Sequence, residues 1–278
     1  MLETVELGRT FVNVSDHETL DQLEAIANQI YIPQNEDYYQ MFAGDNFPNT
    51  PADGWEKKQW NFHTACVGAY PFGNLLDDPK CSRSVQYPYY EGRSGLSISG
   101  GGYPVITHFA AARLGLVDFL EILLYDTSAV AYSNKYNIHT GNSIQDNSNF
   151  LMAHTAFGSL IQEMVLNVHD SIIRPFPSVI PLFEKHGVYF ANLSAYHGIR
   201  VNCEYDQENF RLELESPIDQ QVSVELPYGV ASVRILDHNG NNINFKTRIA
   251  ASKRNDAPIE LVIVDFKLKK NNIYQIVK

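Results

Sequence analysis

The chain has 278 residues, enough for two domains or one large one, and 44% of them are hydrophobic, which excludes a disordered chain. Tyr (16) and Phe (15) are abundant beside only 2 Trp. A formal net charge of −11 argues against a nucleic-acid backbone as partner, because such binding rests on clustered Lys and Arg, and it leaves a neutral ligand as the better match.

The N-terminus, Met1 to Glu6, carries acid in place of the basic and apolar regions of a signal peptide, so no export signal of its own is read. A cytoplasmic location and export within a longer precursor both stay open. No apolar run approaches the ~18 residues that a membrane span requires, and no membrane partner is expected. Cys66, Cys81 and Cys203 are too far apart for a metal or redox motif and are read as free or buried thiols. The histidines show no ligand spacing, so neither a metal nor a cofactor is expected.

In chain order, Ser15-Asp16 followed by Leu20, Leu23, Ile26 and Ile30 predicts a capped amphipathic helix that stops before Pro33. Residues 33–102 have no long helical period and are crowded with Pro, Gly, Asn, Asp and aromatics, including Trp55 and Trp60. Loops of that length in a compact domain are usually functional or disordered, and the rings favour function. From Tyr103 to Tyr125 an apolar stripe through Val105, Phe109, Ala112, Leu116, Phe119 and Leu123 predicts a helix of five or six turns. A polar loop at 133–148 precedes a second stripe through Phe150, His154, Phe157, Ile161, Met164 and Val168.

Pro175, Pro177 and Pro181 then bar a helix, and an extended linker is expected through Gly198. Alternating segments at 200–205, 210–214, 222–226, 233–236, 259–266 and 273–277 predict short strands, with Asn239-Gly240 as a hairpin turn. The expected class is therefore α+β: a helical region over 1–173 with long loops, a linker over 174–198, and a small antiparallel β-sandwich over 199–278.

The segment Glu163-Met164-Val165-Leu166-Asn167-Val168-His169-Asp170, running into Pro175-Phe176-Pro177, resembles the closing part of the α/α-barrel glycosidases of glycoside hydrolase family 95. Phe62 to Leu76 looks like a diverged form of a second segment of that family, and Asn271 to Tyr274 resembles the end of its final strands. The resemblance implies a partial (α/α)6-type helical barrel ahead of the sandwich, and hydrolysis of an O-glycosyl bond by an inverting mechanism. The family's N-terminal β domain and first barrel helices have no counterpart here, so the chain is expected to be a fragment or a reduced relative, with its exposed helices covered by the missing portion or by a homo-oligomer.

Asp146, within Asp146-Asn147-Ser148-Asn149-Phe150, is the nearest match to the family's general base. A carboxylate at a helix entrance, among amides that orient water and hydroxyls, suits base work, though helix capping by Asp146 or Asn149 is an equally concrete duty. Glu91, in the Tyr89-Tyr90-Glu91-Gly92 loop, is the candidate acid, with a solvated loop position as its alternative. Asp45, Asp77 and Asp78 carry the same alternative. Asn147, Asn149, His154, His63 and Trp60 are the candidate sugar-binding residues, and carbohydrate is the expected partner. Glu163 is expected to be a buried hydrogen-bond partner tying its helix to the linker. A carbohydrate-binding or structural module without catalysis is the rival function.

Overall fold

The computed structural model describes residues 17–29, 34, 36, 39, 69, 78–90, 105–122, 124, 151–178, 185–251 and 260–278. Its helices are α1 (His17–Gln29), α2 (Pro79–Tyr90), α3 (Val105–Leu114) with a further helical stretch at 117–122, and α4 (Leu151–Val165). Ten strands follow among the described residues: β1 (Leu166–His169), β2 (Ile172–Pro175), β3 (Val188–Ser194), β4 (Arg200–Tyr205), β5 (Phe210–Glu215), β6 (Gln220–Glu225), β7 (Arg234–Leu236), β8 (Lys246–Ala251), β9 (Glu260–Leu268) and β10 (Ile273–Val277).

The strands form two five-stranded sheets, ordered β1-β2-β6-β9-β8 and β3-β4-β5-β10-β7. All pairs are antiparallel except β2 with β6. Alternation makes the sandwich. On β4, Val201, Cys203 and Tyr205 are buried while Arg200 and Glu204 face solvent, and on β5 Phe210, Leu212 and Leu214 are buried in the same way. Val222 and Val224 of β6, Val264, Phe266 and Leu268 of β9, and Tyr274 and Ile276 of β10 complete one core with them. Each of the six strand segments expected after residue 199 overlaps an observed strand. Lys246–Ala251 was not anticipated as a strand, because Lys-Thr-Arg precedes its only branched apolar residue, Ile249.

The expected helical barrel is not what the described residues form. They form ten strands beside a few short helices, and no helical barrel is evident among them. Two local events cut the stripes that suggested long barrel helices. The first is at Gly115. Its φ of +66° is a conformation that costs an L side chain energy but glycine nothing. There the Leu116 N–H donates to the Ala111 carbonyl (3.0 Å) and the Gly115 N–H to the Ala112 carbonyl (3.2 Å), the bond pair of a Schellman stop. The apolar stripe continues beyond Gly115, but in a new helical stretch.

The second event is at Val165. The stripe through Ile161, Met164 and Val168 predicts continued helix, yet the chain passes from α4 directly into β1. Leu166 pairs with Pro175 and His169 with Ile172 across a two-residue turn in which Asp170 and Ser171 both have positive φ (52° and 56°). That is the geometry of a primed hairpin turn, usually signalled by Asn-Gly. Asp-Ser carries the signal weakly, so the hairpin is hidden in the sequence. A third difference lies in 33–102, where α2 stands although no long helix was expected; Pro79 occupies its first position, where a missing N–H costs nothing.

The helices and the sandwich have separate cores. Phe109, Ala110, Leu114, Leu116, Phe119, Leu120, Leu160 and Met164 belong to the first, together with Cys81 and Val85 of α2. Val165 and Leu166 belong to the second. Phe176, just past β2, is 1% exposed and packs its ring against Phe190 (5.3 Å between centroids) and Tyr205 (5.8 Å) while holding a φ of 49°. Truncating it leaves a cavity and keeps the strained backbone. Phe176→Ala is expected to cost about 3–5 kcal/mol, and Phe176→Leu less, measured by denaturant-induced unfolding.

Candidate functional site

The stretch that carries the family resemblance is a joint. Arg113 is the only charged residue of α3, placed in its last turn. It reaches across to α4 and grips Glu163 with two bonds, Nε to Oε2 at 3.2 Å and Nη2 to Oε1 at 3.0 Å. This paired geometry is the strong form of a guanidinium–carboxylate contact. The Asn167 side-chain amide donates to Glu163 Oε2 at 2.6 Å, and Asn167 itself is buried. Both carboxylate oxygens are thereby occupied, and one side chain ties α3, α4 and β1 together. Glu163 is thus a hydrogen-bond partner, as expected, but it is partly rather than fully buried and ties its helix to a helix and a strand.

The other side of the joint closes through backbone and hydroxyl groups. The Phe176 N–H donates to the Val165 carbonyl at 2.9 Å, and Ser178 Oγ donates to the Ala112 carbonyl at 2.7 Å. That second bond meets a carbonyl exposed by the end of α3, where acceptors lack helical donors. Beyond it, Arg174 donates from Nη1 to the His169 carbonyl (2.8 Å) and from Nε to Glu225 Oε2 (3.2 Å), linking the hairpin to β6. His169 Nε2 lies 3.1 Å from Asp170 Oδ1 at the hairpin turn.

A second polar cluster surrounds Asp78, one of the carboxylates with a solvated-loop alternative. Its Oδ1 accepts the Lys80 N–H at 2.8 Å, so it caps α2. Its Oδ2 accepts the Tyr39 hydroxyl at 2.5 Å, while the Tyr39 N–H donates to Ser84 Oγ at 2.8 Å. Burial works to raise the Asp78 pKa, but the Tyr39 hydroxyl, the Lys80 N–H and the charges of Lys80 and Arg83 together outweigh it and hold the carboxyl below its usual range. The Tyr39 phenol is pushed the other way, first by burial and then by the bond to Asp78. An aspartate held ionised by such donors is a structural cap and a poor proton donor.

Asp146, Glu91, Asn147, Asn149, His63 and Trp60 lie outside the described residues, as do Asp45 and Asp77. His154 lies in α4, with its side chain outside them as well. The joint thus accounts for the far end of α4, the helix that Asp146 to Phe150 precede in sequence. Arg113 was missed, and its signal was slight: a single charge in a helix otherwise made of apolar and small residues and one His. Cys81 and Cys203 are buried thiols outside any disulfide, and burial raises the Cys203 thiol well above its ordinary value. No group of His, Cys, Asp and Glu among the described residues could hold a metal, and no helix among them is long and apolar enough to cross a membrane.

No protein-family model matches the chain, and no curated protein matches it. Solved structures do. The α-L-rhamnosidase from Dictyoglumus thermophilum superposes with a TM-score of 0.52 over 99% of this chain at 11% identity. The chain spans 30% of that enzyme's length. A glycoside hydrolase family 30 subfamily 8 xylanase from Clostridium acetobutylicum also matches, over 28% of this chain and 20% of its own, at 10% identity and a TM-score of 0.22. The first likeness, at 11% identity, is one of fold alone.

Two outcomes follow from the polar clusters. Glu163→Ala leaves the Arg113 guanidinium and the Asn167 amide without their acceptor and is expected to cost roughly 1.5–3 kcal/mol in unfolding free energy. The double variant Arg113→Ala with Glu163→Ala is expected to cost less than the two single losses added, which a double-mutant cycle measures. For Asp78 the folded pKa is lowered. Its contribution is therefore present above the unfolded carboxylate value of about 3.9 and is lost as pH falls through the folded value. Asp78→Asn is expected to flatten that acid limb in a stability-versus-pH series.

Proposed function

We propose that the chain is a glycoside hydrolase, or a portion of one, that cleaves O-glycosyl bonds by an inverting displacement of the family 95 type. The observation that carries this reading is the placement of Asp146-Asn147-Ser148-Asn149-Phe150 directly before α4 (Leu151–Val165), a helix whose opposite end is fixed by the Arg113–Glu163–Asn167 clamp. Catalysis depends on holding a reacting group in place, and a helix fixed at its far end is a rigid element to adjoin. The fold likeness to an α-L-rhamnosidase across nearly the whole chain supports the same class.

In this reading Asp146 is the general base that takes a proton from the attacking water. Asn147 and Asn149 orient that water and the sugar hydroxyls, and His154, His63 and Trp60 contribute to the sugar pocket. Inversion requires a second carboxyl roughly 6.5–9.5 Å from the base, so that a water fits between base and anomeric carbon. Glu91 is the candidate for that acid within this chain. Both Glu163 and Asp78 are disfavoured for it, since their oxygens are already engaged by Arg113 and Asn167 in one case and by Tyr39 and the Lys80 N–H in the other. The second reading, a carbohydrate-binding module without catalysis, is favoured by the chain's spanning only 30% of the rhamnosidase.

The test is hydrolysis of aryl glycosides, α-L-rhamnoside, α-L-fucoside and α- and β-galactosides among them, by the wild-type chain and by Asp146→Asn. Turnover of at least one substrate is expected, reduced about 10²- to 10⁴-fold by the substitution with the unfolding midpoint retained. Turnover unaffected by Asp146→Asn removes Asp146 from the mechanism. No turnover by the wild type of any substrate favours the binding module.

A further inference from the structure

The outward face of the sheet β3-β4-β5-β10-β7 carries balanced charge on an acidic chain. Cross-strand register puts Tyr189, Glu204, Arg211, Val277 and Arg234 in one row across all five strands. Asn202, Glu213, Gln275 and Leu236 form a second row, and Arg200, Glu215 and Ile273 a third. The face therefore carries three arginines (200, 211, 234) against three glutamates (204, 213, 215), a balance of zero on a chain whose formal charge is −11.

Its polar groups are organised around Glu213. The Arg211 guanidinium donates to Oε1 at 2.8 Å, the Gln275 amide donates to the same oxygen at 3.0 Å, and the Asn202 amide approaches Oε2 at 3.4 Å. Arg200 Nη1 lies 3.7 Å from Glu215 Oε2. At the edge of this plateau stands Tyr189, 81% exposed, the most exposed of the large hydrophobic side chains among the described residues. A tyrosine in a strand ordinarily repays its place by packing at least half its ring. Here the ring is presented to solvent beside a row of fixed donors and acceptors.

We propose that this face is a binding surface for a neutral oligosaccharide, with Tyr189 as the stacking platform and Glu204, Arg211, Glu213 and Gln275 as the partners of the sugar hydroxyls. Charge selects the occupant. A polyanion would meet three glutamates and a basic peptide three arginines, while the apolar Leu236, Ile273 and Val277 are interspersed with Glu215, Gln275 and Arg234. A polyol needs alternating donors and acceptors with no net field, together with an aromatic plane for its C–H groups, and both are present. Four inter-strand steps of about 4.8 Å give the first row a length of about 19 Å, which admits several sugar units in line. Binding at this surface does not depend on the catalytic reading.

Affinity gel electrophoresis of the full chain in soluble arabinoxylan, galactomannan and xyloglucan tests this surface, with analytical ultracentrifugation as the companion measurement. Retardation by at least one polysaccharide is expected. Tyr189→Ala should weaken it by about tenfold or more and Glu213→Gln should weaken it too, while Tyr189→Phe, which keeps the ring plane, should retain it. Tyr189 is exposed, so its variants should unfold at the wild-type midpoint. The proposal is overturned by no retardation of the wild type in any of the three, by retardation that Tyr189→Ala and Glu213→Gln leave unchanged, or by a wild-type dimer that Tyr189→Ala dissociates, which would make the face a self-association surface. Hydrolysis of aryl glycosides is expected to be unchanged in Tyr189→Ala, and binding unchanged in Asp146→Asn, so each reading can fail without the other.

Discussion

Two hydrophobic cores meet at one peptide bond. Met164 is buried among the helices and Val165 among the strands, and the chain changes from helix to strand within the next residue. An abrupt change of this kind leaves carbonyls at the end of α4 without helical partners, and buried polar groups must be paired. The hairpin supplies the pairing: its return strand brings the Phe176 N–H back to the Val165 carbonyl. The Glu163 carboxylate, one turn earlier, accepts from a helix on one side and from the first strand on the other. Without that hydrogen-bonded joint the helices and the sandwich would be two bodies on a single thread.

The polar groups of the joint also say where chemistry is not. A catalytic carboxylate must exchange a proton with substrate, so it needs a free oxygen and an environment that moves its pKa toward the working pH. Glu163 has neither oxygen free, and Asp78 is held below the normal range by the donors around it. These groups rigidify. The residues proposed for reaction, Asp146 and Glu91, belong to Asn-, Asp- and aromatic-rich segments of the sequence.

What the sequence made legible follows from how local each signal is. The strands of residues 200–277 announce themselves by a period of two, and the pairing of buried Val201, Cys203 and Tyr205 with exposed Arg200 and Glu204 is that period in three dimensions. The break at Gly115 was readable in principle, since a glycine following Arg113-Leu114 is a common stop, but the apolar stripe resumes after it and masks the interruption. The switch at Val165 was not readable from periodicity. Ile161, Met164 and Val168 satisfy a helical spacing, and Val168 also alternates with Asn167 and His169 as a strand residue; the tertiary demand of the second core decided between them. Arg113 and Glu163 are 50 positions apart, and no local rule pairs them. The candidate residues from Trp60 to Asn149 rested on family resemblance and chemistry, with no period to place them.

The resemblance at Glu163 to Pro177 gains a physical content that a motif by itself lacks. Several residues in it have tasks in the joint: Glu163 and Asn167 in the clamp, Arg174 holding the His169 carbonyl and Glu225, Asp170 adopting the positive φ of the turn, Phe176 filling the sandwich core. A segment under that many packing and hydrogen-bonding constraints keeps its residue types for stability, whether or not the protein that carries it is catalytic. Likeness in this stretch therefore argues for a shared way of attaching a sandwich to helices. Likeness of activity has to be argued from the segments that the frame holds, because function lives in sites and the same frame can carry different ones.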